Sequence, residues 1–240
     1  MTAEAVRLRT DEAIGGRFQV RVTNTGDAAF SVTAVALDSP GFAAVPATAV
    51  SAEFPPGRVI DLPTPYGEPV CRTSPAPVAA RLTVIRPGGA AEALAVPLDG
   101  DALDVVHTEE CAARAVAEVV DIAVADLTDD GDALVGALTL TRRDGDEPVV
   151  ASTLSRSVLV EAGAEDLPLE LGPDDGTVTT PVTFTPSTCD PHVLSETKKP
   201  YVFPLGVQVG EADPVPVDLP LDQAALDRLA ALVQRVCAGR

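Results

Sequence analysis

The 240 residues contain no tryptophan, one methionine and two tyrosines, and aromatic side chains make up only 3% of the chain. An interior built without large aromatic anchors must be filled by Ala, Val and Leu, and at 46% apolar residues there is enough material for two cores. Cationic residues are scarce as well: 17 Lys and Arg stand against 36 Asp and Glu, a net charge of −19. Such a field repels phosphates and anionic surfaces. The only two lysines are adjacent, Lys198-Lys199, and the arginines are scattered, so no basic stripe offsets it. A nucleic-acid partner is excluded on that ground. No apolar run approaches the roughly 20 residues that span a bilayer as a helix.

The first residues, Met1 to Arg7, have neither a basic n-region nor an apolar h-region. Read literally, that points to the cytoplasm. Four cysteines at repeated positions point instead to disulfides and an oxidising compartment. The expectation is a secreted or cell-envelope protein whose leader has been trimmed, with Met1 supplied for expression. The Ala- and Arg-rich, Lys-poor usage is similar to that of proteins from high-GC bacterial genomes.

What the chain does have is an internal echo. Gly26, Gly57, Cys71, Pro97-Leu98-Asp99 and Cys111 reappear in the same order, at nearly constant displacement, as Gly145, Gly176, Cys189, Pro220-Leu221-Asp222 and Cys237. This reads as a diverged duplication, with one domain over residues 1–111 and a second over 112–240. Twenty-two prolines, about twice the average share, suit short strands joined by rigid turns.

In the first copy, Phe18, Val20 and Val22 alternate with polar residues and share one strand face. Asn24 to Asp27 reads as a turn tolerant of positive φ, and residues 30–35 return as a hairpin. Residues 59–62, 78–85 and 93–96 supply further strands. In the second copy the strands are expected over 116–124, 134–141, 157–160, 178–184, 201–209 and 215–219. No helices are expected between strands, which indicates antiparallel β-sandwiches. One amphipathic helix closes the chain over 222–237, with Asp222 as N-cap, Leu226, Leu229, Leu232, Val233 and Val236 on one face, and Gly239 as terminator. After Pro97-Leu98-Asp99 only a turn or two of helix is expected before Cys111, because Gly100 intervenes.

The stretch Val20-Arg21-Val22-Thr23-Asn24-Thr25-Gly26 resembles the strand-turn of bacterial immunoglobulin-like modules. That resemblance implies an all-β fold of two tandem immunoglobulin-like sandwiches and carries no functional residues with it.

Four cysteines allow three pairings. Duplication selects Cys71 with Cys111 and Cys189 with Cys237, since each copy had to be stable on its own. The densest chemistry lies in Cys189-Asp190-Pro191-His192-Val193-Leu194-Ser195-Glu196-Thr197-Lys198-Lys199. Asp190, His192 and Glu196 form a candidate zinc or copper set, one short of a closed structural site. Asp190, His192 and Ser195 hold the residue types of a hydrolase, but close sequence neighbours rarely converge as a triad and no G-x-S-x-G elbow is present. Lys198 and Lys199 are the candidate binding cations. The structural reading, an Asx-type turn beside a disulfide, outweighs these. His107, near Glu109 and Glu110, reads as part of a solvated segment, and Asp126, Asp129, Asp130 and Asp132 read as an acidic hairpin turn. The resulting expectation is a non-catalytic structural or interaction module with no cofactor and an unidentified protein or envelope partner. A metal-binding envelope protein is the main alternative, and a hydrolase the second.

Overall fold

The computed structural model describes residues 1–238, so the terminator role of Gly239 lies outside the described residues. Strand accounts for 45% and helix for 19%, making the protein mostly β. Two compact units divide the chain, Met1–Cys111 and Ala112–Arg240.

The first unit contains β1 (Thr2–Val6), α1 (Arg9–Ile14), β2 (Arg17–Thr23), β3 (Phe30–Asp38), β4 (Thr48–Phe54), β5 (Val59–Pro65), β6 (Ala79–Ile85), β7 (Ala91–Asp99) and the start of α2 (Ala102–Val119). Its strands run in the order β4-β3-β6-β7-β1-β2-β5. Pairing is antiparallel except between β1 and β7, which touch in parallel at Ala3–Leu98 and Glu4–Asp99. The second unit contains β8 (Val120–Asp130), β9 (Ala133–Arg142), β10 (Val149–Leu154), β11 (Val160–Ala164), β12 (Leu169–Leu171), β13 (Thr177–Pro186), α3 (Pro191–Glu196), β14 (Pro204–Val209), β15 (Val215–Asp218) and α4 (Gln223–Cys237). These strands form two sheets, β12-β10-β14-β15 and β11-β13-β9-β8.

Every antiparallel pairing of the first unit recurs in the second. The pairs β1–β2, β2–β5, β3–β4, β3–β6 and β6–β7 become β8–β9, β9–β13, β10–β12, β10–β14 and β14–β15. Each unit encloses one core. Phe18, Val20, Val22, Val32, Phe54 and Leu82 are buried in the first, and Leu138, Leu140, Val182, Phe184, Phe203 and Leu205 in the second. Four of the phenylalanines pair within the cores: Phe30 stacks on Phe54 at 5.0 Å, and Phe184 meets Phe203 edge-on at 5.1 Å.

The helices correct the expectation of helix-free units. Residues 116–119, read as the opening of a strand, are the last turn of the 18-residue α2. Gly100, at φ 92°, ends β7 and stands outside the helix, so its low helix propensity is never tested. Leu103 and Val106 then enter the first core and Val116 the second. The strand placed at 157–160 begins only at Val160. On β2, the face opposite Phe18 and Val20 is not fully solvated either: Gln19 is buried beneath α1, where it and Arg17 donate to the carboxylate of buried Asp11 at 2.8 and 2.9 Å.

The turn after β2 works differently from a positive-φ turn, since neither Asn24 nor Gly26 has positive φ. Asn24 is buried and its side chain organises the loop. Its amide donates to Ala28 O at 2.9 Å and Phe54 O at 2.8 Å, and its Oδ1 accepts from Gly26 N–H at 3.0 Å. Asn24→Ala would leave those backbone groups without partners and is expected to cost about 1–3 kcal/mol in chemical denaturation. A loss below about 0.5 kcal/mol, ordinary for a surface change, would show that water replaces the amide. In the second unit Arg142 plays a comparable part. Its Nε donates to Asp175 O, Nη1 to Gly145 O and Glu147 O, and Nη2 to Leu171 O and Gly172 O.

Candidate functional site

The polar segment 189–199 is built on a short helix. Asp190 caps α3, its Oδ1 accepting from His192 N–H at 2.8 Å and Val193 N–H at 3.4 Å, with Pro191 in the first turn, where its missing N–H costs nothing. Ser195 donates its hydroxyl to His192 O at 3.0 Å, and Thr197 donates to Val193 O at 2.7 Å. Asp190, His192, Ser195 and Glu196 are all exposed. The carboxylate and hydroxyl are thus engaged by backbone, and neither orients the imidazole as a catalytic relay requires. Among the described residues no group of three or more His, Cys, Asp or Glu converges on a metal-sized point, so Asp190, His192 and Glu196 are not brought together.

Lys198 and Lys199 lie at the rim of a cleft of about 390 Å³ whose walls include Tyr201, Leu219, Leu221 and Leu226. Burial of the Tyr201 ring raises its phenol pKa above the usual value. Leu226, assigned by its spacing to the core face of α4, is only half-buried and faces this cleft. The core face proper is Ala225, Leu229, Leu232, Val233 and Val236, and the helix begins at Asp222, whose Oδ1 accepts from Ala225 N–H at 2.7 Å.

Both units carry a disulfide. Cys71 is joined to Cys111 across 40 residues and Cys189 to Cys237 across 48, with Cα separations of 5.4 and 5.3 Å. In each case a loop preceding a central strand, β6 or β14, is fastened to the unit's C-terminal helix. The Cys71 loop is seated by Val70 N–H donating to Gly41 O at 2.8 Å, and Gly41 lacks a Cβ where Pro75 lies too close to admit one.

His107 corrects the reading of a solvated segment. It is buried on α2, one turn before Cys111, with its ring edge-on to Phe42 at 5.5 Å. Its Nε2 lies 3.4 Å from Val70 O and 3.8 Å from Cys111 Sγ. Beside it, Tyr66 donates to Glu110 Oε1 at 3.1 Å, and burial, reinforced by that carboxylate, raises the Tyr66 phenol pKa. The signal for His107 is present in the sequence: Leu103, Val106, His107 and Cys111 recur at helical spacing.

The aspartates around Gly131 form the β8–β9 hairpin end, where Asp129 pairs with Arg228 at 3.2 Å and Arg235 at 2.8 Å of α4. Through Asp129 this hairpin end is tied to the helix.

No protein-family model and no curated sequence matches this chain. Among solved structures, red sea bream transglutaminase aligns over 92% of this chain and 32% of its own, at 11% identity and a TM-score of 0.24. The chain therefore spans about a third of that protein, and a likeness of this degree carries no argument about fold or activity.

Proposed function

We propose that the chain is an exported, non-catalytic pair of immunoglobulin-like modules acting as a structural or interaction protein at the cell envelope. The observation that carries this reading is one disulfide inside each unit, each tying a loop to the terminal helix of its own fold. Such bridges persist in oxidising compartments and are rare in the cytosol. Support for the immunoglobulin-like comparison comes from the pairings β1–β2, β2–β5, β3–β6 and β6–β7, which correspond to the A–B, B–E, C–F and F–G pairs of those sandwiches. The edge strands depart from that pattern: β11 joins β13, while the later β12 joins β10. Among the described residues no helix is long and apolar enough to cross a membrane.

The test is fractionation of the producing cell with thiols blocked at lysis. The chain is expected outside the cytosol with no alkylatable thiol before reduction. Recovery from the cytosol with four free thiols would overturn export. Elemental analysis tests the non-metal part of the reading: His192→Ala is expected to leave zinc and copper content unchanged. A stoichiometric metal lost with that side chain would overturn it.

A further inference from the structure

We propose that the Cys71–Cys111 bridge is a site of thiol–disulfide exchange with small aliphatic thiols, in a way the Cys189–Cys237 bridge is not. The inference does not rest on the export reading, since it concerns the surroundings of two bridges within one chain.

The bridges share their connectivity and differ in their neighbours. Cys71 is exposed in a turn, whereas Cys111 is half-buried on α2. One helical turn before Cys111 stands His107, its Nε2 3.8 Å from the sulfur. The same position before Cys237 holds the buried, apolar Val233. Nε2 also faces Val70 O at 3.4 Å, which favours the tautomer protonated at Nε2, and that single N–H is shared between the carbonyl oxygen and the Cys111 sulfur. Burial against Phe42 holds the ring there. Cys237 Sγ has instead the carbonyl oxygen of Thr188 at 3.7 Å, which offers nothing to a thiolate.

The chemistry follows from that asymmetry. An external thiolate attacks the exposed Cys71 sulfur. A new S–S bond forms there as the bond to Cys111 breaks, and the electron pair leaves on Cys111 as a thiolate that accepts from His107 Nε2–H. Stabilising the leaving thiolate accelerates exchange, because a better leaving group departs faster. A second thiolate then attacks the external sulfur of the mixed disulfide, releasing Cys71 as a thiolate. Overall two external thiols are oxidised to their disulfide, and the protein bridge takes up the two electrons. His107 acts here as a positioning donor to the leaving sulfur.

The experiment exposes the intact, folded chain to glutathione, quenches by alkylation at intervals and maps both bridges by peptide mass. Opening of Cys71–Cys111 is expected to be about tenfold faster or more than that of Cys189–Cys237. Glutathione should be carried on Cys71 and the alkylating label on Cys111. His107→Phe, which keeps a ring against Phe42 but removes the donor, should lose most of that advantage while Cys71 stays equally exposed. Equal opening rates, glutathione on Cys111, or a His107→Phe rate matching the parent would each overturn the proposal. Should His107→Phe fail to fold, the two bridges of the parent chain still decide it by their rates and by which sulfur is modified.

Discussion

Opening either disulfide is expected to destabilise its own unit by about 4 kcal/mol in the chain-entropy model, given loops of 40 and 48 residues. Domains of this size commonly have 5–15 kcal/mol in all, so a loss of about 4 removes a large share. Paired substitutions separate the contributions: Cys71→Ser with Cys111→Ser should weaken the first unit and leave the second, and Cys189→Ser with Cys237→Ser the reverse. Denaturant titration followed by unit-specific hydrogen exchange reads the two. A loss below about 1 kcal/mol in either unit would show that the helix and loop remain together without the bond, and that the bridge does little to limit the unfolded chain.

Leu229→Ala is expected to cost the second unit about 2–5 kcal/mol. Leu229 is fully buried midway along α4, among Leu232, Val233 and the sheet residues of the second core. Truncation there removes transfer energy and leaves a cavity that the Leu- and Val-lined surroundings fill only in part. The control is Leu226→Ala on the same helix, where the side chain is half-exposed at the cleft and the cost should be much smaller. Equal and small losses at both positions would mean that α4 is held by Asp222 and the disulfide rather than by its apolar face.

These two expectations draw on elements that differ in how openly the sequence declares them. The helix α4 is legible because Asp222 caps it, its apolar residues recur at the helical period and no glycine interrupts it. The long α2 is hidden by its neighbours. Gly100 sits two residues before it, and the Val-rich residues at its end have strong β propensity, which burial in the two cores overrides. The strands β2 and β13 show clear alternation, whereas β10 and β12 are short and β1 lies at the extreme terminus, so periodicity has little to act on. The chemistry-bearing residues follow the same rule. Clustering in sequence drew attention to Asp190, His192 and Glu196, which α3 spreads over an exposed surface. The contact with more chemical consequence, His107 on Cys111, spans a single helical turn and becomes visible only once α2 is known to be a helix.

Arg142 can be regarded as a cation permanently tethered at the centre of its own coordination shell. Its five N–H donors meet the carbonyl oxygens of Gly145, Glu147, Leu171, Gly172 and Asp175, gathering two separate loops around one positive charge. A calcium ion gathers carbonyl oxygens in much the same way, but it comes and goes with the solution around it. Here the ion is part of the chain. The charge that holds the loops at this end of the second unit is therefore one that neither a chelator nor dilution removes, and the order that other proteins obtain by saturation comes with the backbone closing around the side chain.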